Sequence, residues 1–489
     1  MNSPAVIVQP RLALEDPHDC TDANDMLAVF DALFDGLVRY GKDGGYVPAL
    51  ASSWDVTPDA KQWTFRLREG LRFHDGSPCD AAAVCQSLTR MARPDKGYTL
   101  GAPGVWHQYL GDAEIEAINP LTVAIRLSKP IADLLDILVY GYVLAPSALD
   151  RYEAGDTSQP VGTGPYCLVS YKPGRALHLQ RFEGWHGERP ANAELTFRLE
   201  PNREARLQML ISGQAQVANS LDYEASEALK ETGQHTRVTS LVPVAIIYLF
   251  NAFKGPLKDS RVRRALNLAI DRQALIDRVV AGAAKPLTGF VSPVHFGSMP
   301  SKDLRPDLDQ AKRLLEEAGF AEGLTIEVDS PTRLPDEAEA LTAALAEQLA
   351  PIGVTLNVHR HTDREAYAHR VRLKQVRDMC VFDSSPLSTF RILAEKIDQR
   401  AKGSWWLGFH NAEAEDLLDA GRATVDPSER EKIFVKAFHA LQVDPPWLYL
   451  YNPLRVTGLS GSWPDWRMRQ DCVLDVTRLP NFQSGKPAP

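Results

Sequence analysis

The chain has 489 residues, 44% hydrophobic and 24% charged, an ordinary globular composition with length for two to four lobes. Fifty-four basic against 63 acidic residues leave a net charge of −9. That balance weighs against a nucleic-acid binder or a polybasic membrane-surface protein, both of which rest on clustered positive charge. The longest apolar stretches, 137–144 and 242–250, fall far short of the ~20 residues a membrane span needs.

No basic segment followed by an apolar one opens residues 1–10, so no secretory leader is read there. The expectation is either a mature chain or a protein that stays inside. Six cysteines (Cys20, Cys79, Cys85, Cys167, Cys380 and Cys472) are scattered without a Cys-x-x-Cys pair. They read as buried free thiols, with one or two bridges open in an oxidising compartment.

In chain order, a strand is predicted over 5–8, then a turn at Asp16-Pro17-His18. A helix follows over 25–38, because Leu27, Phe30, Leu33, Phe34 and Leu37 recur at three and four; Asn24 or Asp22 can cap it. From about 40 to 158 the texture becomes strand-rich. Trp63-Thr64-Phe65-Arg66-Leu67 and Leu121 to Leu127 alternate apolar and polar, with turns at Asp75-Gly76 and Asn119-Pro120. Between them Asp80 caps a helix carrying Val84, Leu88 and Met91. Gly162-Thr163-Gly164-Pro165 punctuates the chain before strands at 166–170, 177–181 and 195–199 and a helix over 204–211. The run 245–250 reads as a buried strand, followed by helices opening at Ser260, Asp271 and Asp307. Strand 324–328, helix 336–349 and strand 354–358 make a βαβ unit, which calls for parallel pairing. A helix over 364–375 and a strand over 379–382 complete an α/β lobe.

No reacting constellation emerges. Gly162-Thr163-Gly164 lacks the Gly-Lys-Ser/Thr tail of a phosphate-cradling loop, and Pro165 has no N–H to donate. There is no Gly-x-Ser-x-Gly elbow. His359 and His361 share a strand face, but Arg360, Arg364 and Arg370 nearby would repel a cation. Glu316-Glu317 lies on an exposed helix face as solvated charge. No cofactor and no metal is expected. Binding without chemistry is the better class, and lobes crossed more than once by the chain suit capture by hinge closure.

A set of motifs then points to a family. Asp16-Pro17-His18, Phe34-Asp35-Gly36-Leu37-Val38 and Pro48-Ala49-Leu50-Ala51-Ser52-Ser53-Trp54 come first. The run from Trp63 through Phe73-His74-Asp75-Gly76 follows, then Val161-Gly162-Thr163-Gly164-Pro165-Tyr166, and Asn251 ahead of Pro256 to Leu266. Pro445-Pro446 and Tyr449-Leu450-Tyr451 close the series. In this order, over essentially the whole chain, they resemble the extracytoplasmic solute-binding proteins of peptide/nickel-type ABC importers. The resemblance implies an α/β, three-lobed periplasmic-binding-protein-like fold: two α/β lobes around a hinge plus an inserted strand-rich lobe. Lobe I would comprise 1–40, 160–243 and 452–489, lobe II 41–159, and lobe III 244–451. The ligand would sit between lobes I and III. The partners implied are that small-molecule or peptide ligand and an ATP-powered permease complex in the membrane. No nucleic acid is implied, and the protein would be a periplasmic monomer that does no chemistry.

The same resemblance implies site residues. Asp25 and Met26, in the first helical turn, would face the ligand, and Trp106 would stack on it or pack in the core. Tyr142 stands where some nickel-binding members carry an arginine for a chelator carboxylate, which argues against a metal–chelate ligand. Asn251 would bond the ligand or cap the hinge. The loop Phe382-Asp383-Ser384-Ser385-Pro386 corresponds to a longer Gly/Trp-rich loop in dipeptide-binding relatives, whose aspartate pairs with the peptide amine. Here Asp383 would meet a ligand ammonium or cap the following turn, and the shortened loop opens the site to other solutes. Of Trp405-Trp406, one would supply an aromatic wall; Trp406 is the choice. A short peptide or opine-like amino-acid conjugate is the expected ligand. The alternatives are a nickel or metallophore binder of the same family, or a cytoplasmic ligand sensor reusing the fold.

Overall fold

The computed structural model describes residues 4–482 apart from 21–22, 43, 99–103, 232, 288, 290, 299–304, 334, 385–387 and 404. The chain forms two compact units, one of Met1–Ser240 with Arg455–Pro489 and the other of Leu241–Leu454.

In the first unit, Ala5–Gln9 lies parallel to Glu194–Leu199 on one side and to Val217–Leu221 on the other. The sheet continues antiparallel through Ala176–Arg181 to Tyr166–Lys172. At its other side Val217–Leu221 pairs antiparallel with the residues from Val456 to Leu459 near the C-terminus. A second sheet is wholly antiparallel, in the order Ala51–Val56, Gln62–Leu67, Thr122–Arg126, Glu114–Asn119. The helix Ala81–Met91 begins where Asp80 accepts a bond from the Ala83 N–H at 3.0 Å, and it buries Val84, Leu88 and Met91.

The helix predicted over 25–38 is shorter, Asn24–Leu33. Phe34 is already extended, and Val38–Tyr40 is a strand paired with Tyr46–Pro48. The stop comes from residues far along the chain. The Gly164 N–H donates to the Leu33 carbonyl at 3.1 Å, and the Asp35 N–H donates to the Thr163 hydroxyl at 3.2 Å. A Cβ on Gly162 would stand 2.2 Å from the Leu33 oxygen, and one on Gly164 would stand 2.5 Å from the Phe34 nitrogen. The glycines are therefore needed for close backbone approach, which is why the motif reads Gly-Thr-Gly. His74 joins the same junction, its Nε2 lying 3.0 Å from the Gly164 oxygen and its N–H bonded to the Gly162 oxygen.

In the second unit, Leu324–Pro331 and Val354–His361 are parallel neighbours, joined through the helix Ala338–Leu349 as a βαβ unit requires. Met379–Ser384 lies parallel on the other side of Leu324–Pro331, and Ala245–Phe250 pairs antiparallel with it. Trp447 to Tyr451 pairs antiparallel with Ala245–Phe250 in turn. Every residue of Ala245–Phe250 is buried, as a central strand covered on both faces should be. The core around it takes in Val262, Leu266, Ile326, Val328, Leu341 and Leu345. The result is a mixed α/β fold in which strands and helices alternate.

Candidate functional site

The helix Asn24–Leu33 positions the first group of expected site residues. Met26 is buried, and Asp25 is half-buried in the first turn. Burial raises the Asp25 carboxyl, and the charges of Arg455, Arg206 and Arg11 oppose that rise. The Asp25 carbonyl accepts from Gln9 Nε2 at 3.1 Å, which ties this turn to the end of the first strand.

One turn and a half later, Asp31 Oδ1 accepts the Tyr142 hydroxyl at 2.7 Å. Asp31 Oδ2 lies 2.7 Å from Arg469, whose guanidinium also forks onto Asp471 with two bonds of 2.8 Å. Burial raises the Asp31 carboxyl, with Arg469 opposing it. The Tyr142 ring packs against Phe30 and Phe34, and its carbonyl accepts from His18 Nε2 at 2.7 Å. The cavity beside these groups, also lined by Asp35 and Trp185, measures about 30 Å³, room for a water molecule and not for a solute. Tyr142 is thus engaged inside the first unit at both its polar ends.

Trp106 is fully buried in the same unit. Its Nε1–H donates to the His18 carbonyl at 2.9 Å, and its ring stacks on Tyr140 with centroids 5.6 Å apart. Gly97 makes room for it: a Cβ there would lie 2.6 Å from the indole. Of the two readings of this tryptophan, the packing one describes its surroundings.

In the second unit, Asn251 is buried with its amide fully used. Nδ2 donates to the carbonyls of Val376 at 3.0 Å and Arg377 at 2.9 Å, while Oδ1 accepts from the Phe253 N–H at 3.1 Å. It fastens the end of Ala245–Phe250 to the turn before Met379–Ser384. These bonds leave its amide no further hydrogen to offer.

The carboxyl end of Met379–Ser384 gathers a different set. The Phe382 ring lies 4.8 Å from that of Trp405, tilted by 37°. Arg364 Cζ stands 5.6 Å from the Phe382 centroid. Lys396 Nζ stands 6.0 Å from the same centroid and 5.9 Å from that of Trp405. Such spacings suit cation–π attraction. Asp383 is half-buried next in the chain; burial raises its carboxyl, and Lys396 and then Arg364 pull it back. Ser384 ends the strand opposite Ala245. Its side chain, together with Ser385 and Pro386, lies outside the described residues.

Trp406 is not the ring beside Phe382. Its Nε1–H donates to the Phe409 carbonyl at 2.6 Å, and Phe253 meets its face edge-on at 5.0 Å. Trp405 takes the place next to Phe382 instead. Sequence reasoning also passed over Arg364 and Lys396. In the sequence Arg364 reads only as a charge that would repel a metal, and Lys396 carries no signal. The two histidines are held by carboxylates: His359 Nε2 is 2.5 Å from Glu327 and His361 Nε2 is 2.7 Å from Asp329. Among the described residues no group of three His, Cys, Asp or Glu is placed to hold a metal ion, and no helix is long and apolar enough to cross a membrane. Cys79, Cys85, Cys167 and Cys380 are free thiols.

Comparison with solved structures places the fold among periplasmic binding proteins. The agropinic acid complex of the binding protein AgaA from A. tumefacien aligns with 99% of this chain and 97% of its own at a TM-score of 0.77 and 23% identity. HbpA2 from Haemophilus parasuis aligns with 96% of this chain and 98% of its own at a TM-score of 0.83 and 20% identity. Among curated proteins, the glutathione-binding protein GsiB of Shigella boydii serotype 4 is 30% identical over 467 residues, 91% of this chain and 89% of GsiB. The family of bacterial extracellular solute-binding proteins, family 5 (middle), matches residues 45–386. The chain belongs to that family.

Proposed function

We propose that this protein is the solute-binding subunit of an ABC importer and takes up a small polar organic ligand, a short peptide or an opine-like amino-acid conjugate. It captures the ligand by hinge closure and hands it to a membrane permease chemically unchanged. It works as a monomer in the periplasm and makes no use of nucleic acid. The observation that carries this reading is similarity along nearly the full length to a glutathione-binding protein and to a binding protein for agropinic acid. Both solutes are small, polar and derived from amino acids. The three-lobe division belongs to the same proposal, with residues 41–159 as the inserted lobe. Of the expected site residues, the group around Phe382 and Asp383 is the one we assign to ligand recognition. Trp106, Tyr142 and Asn251 then serve to hold their units rigid.

Titration calorimetry with glutathione, agropinic acid and the dipeptide Ala-Glu tests the reading. A saturable 1:1 heat with at least one of them, and recovery of that solute at its original mass, is the expected result. Cleavage or modification of the solute would show an enzyme instead.

A further inference from the structure

We infer that the outer groove between the helices Ala412–Ala423 and Pro427–Val443 is a docking surface for the membrane permease, and that it seats a segment carrying an apolar residue between a basic and an acidic one. This rests on the solute-binding reading above and names where its protein partner touches this chain.

The two helices are joined by three residues, 424–426, and pack side by side as a hairpin. Leu418, Phe434, Phe438 and Leu441 are buried on the inner side. Gly421 allows the close approach, since a Cβ there would stand 2.8 Å from the Phe434 ring. On the outer side a cavity of about 730 Å³ lies between the helices. Glu413 and Asp416 line it from the first helix, and Lys436 and His439 line it from the second. These four are exposed, while Leu417 and Val435 between them are half-buried and give the groove an apolar middle. Val443, 55% exposed, lies one turn past His439 on the same helix face and extends that apolar surface.

The charges of the groove are unused. Among the described residues none of the four polar side chains makes a hydrogen bond or an ion pair, so the carboxylates of one rim do not reach the groups of the other. Elsewhere on the hairpin, charges are met within the chain: Asp419 by Arg400 at 2.6 Å, Glu415 by His410 at 3.2 Å and Lys432 by Glu429 at 2.7 Å. Magnitudes then decide the kind of occupant. An exposed ion pair is worth about 0–1 kcal/mol, so a small solute bridging the rims would gain little. A protein segment adds the apolar middle to both rims, the arrangement of an interface with an apolar core and a polar edge. Rim charges of this kind act mainly on the rate and orientation of docking, and acid on one side with base on the other admits one orientation. The protein that an importer's binding subunit has to meet is its permease, to which the solute is handed.

The test uses the full chain, loaded with whichever of the three probes above it binds, and the importer's permease complex reconstituted in lipid vesicles. ATP hydrolysis by the permease is read against the concentration of binding protein. The double variant Glu413→Lys, Lys436→Glu exchanges the rims and keeps the net charge. It is expected to raise the half-saturating concentration about tenfold or more, with solute affinity by calorimetry unchanged. Val443→Asp is expected to raise it as well, and decides alone if the double variant fails to fold by circular dichroism. Equal half-saturating concentrations in native and variant proteins overturn the inference while solute capture stands. So does sedimentation that shows the native chain pairing with itself and the double variant not, which would make a second copy the occupant. If the native protein binds no probe, or binds one and leaves ATP hydrolysis unstimulated, the importer reading itself fails and takes this inference with it.

Discussion

His18 accepts a bond from Arg90 on Nδ1 at 2.9 Å and donates from Nε2 to the Tyr142 carbonyl, so both ring nitrogens are committed to the neutral form. Burial first, then Arg90, lowers its proton affinity to about 4, although Asp16 opposes them. In the unfolded chain a histidine takes up a proton near 6.5. Stability from this group is therefore intact above pH 6.5 and is lost as pH falls toward 4, where only the unfolded chain binds the proton. The loss is on the order of 3 kcal/mol. Asp16, held well below the usual carboxylate range by Arg90 and Lys96 against its own desolvation, adds a loss of the same sign at lower pH. Melting temperature should fall more steeply from pH 7.5 to 4.5 in the native protein than in His18→Gln, and equal slopes would contradict this account. Asn251 makes a second case. Its truncation to Ala strands two carbonyls, those of Val376 and Arg377, and should cost about 1–3 kcal/mol in urea unfolding without abolishing ligand binding.

Among elements, the helix Asn24–Leu33 shows where local pattern and tertiary contact part company. Phe34, Leu37 and Val38 continue the apolar spacing of a helix, so periodicity alone runs past Leu33 and only Asp35-Gly36 hints at a stop. The reason lies about 130 residues away, in a glycine pair with no space for a side chain. Gly164→Ala should accordingly cost about 3 kcal/mol, since the clash is with backbone and no rotamer change relieves it. Thermal unfolding measures it, and a loss below 1 kcal/mol would mean that the junction yields. By contrast, the βαβ unit around Ala338–Leu349 was legible, because its strands alternate or run apolar, its helix repeats at 3.6 and Gly353 closes it in the left-handed region. The cluster around Phe382 was half legible. Its place at a strand end follows from the pattern, but adjacent tryptophans are indistinguishable in sequence. Only the folded chain brings Arg364 and Lys396, 32 residues apart in number, to one ring. The helix Thr389–Lys396, buried along all its eight residues, owes its Arg391–Glu395 pair to that same environment.

Across the whole molecule, much of what makes the family recognisable is scaffold. Asp16-Pro17-His18 carries a buried ion network with Arg90 at 2.5 Å and Lys96 at 2.8 Å. Phe34-Asp35-Gly36 and Gly162-Thr163-Gly164 fit backbone to backbone, and Asp35 accepts from Trp185 Nε1 at 2.8 Å. Such motifs reveal the family through packing and backbone fit and say little about the solute. The central claim is that a solute is held and released unaltered. Native mass spectrometry of the folded protein with each probe, followed by mass analysis of the released molecule, tests it most directly. The account predicts a 1:1 complex heavier by the intact mass of the probe and release of that same mass. Release of fragments or a modified product, or no complex with any probe, would contradict it.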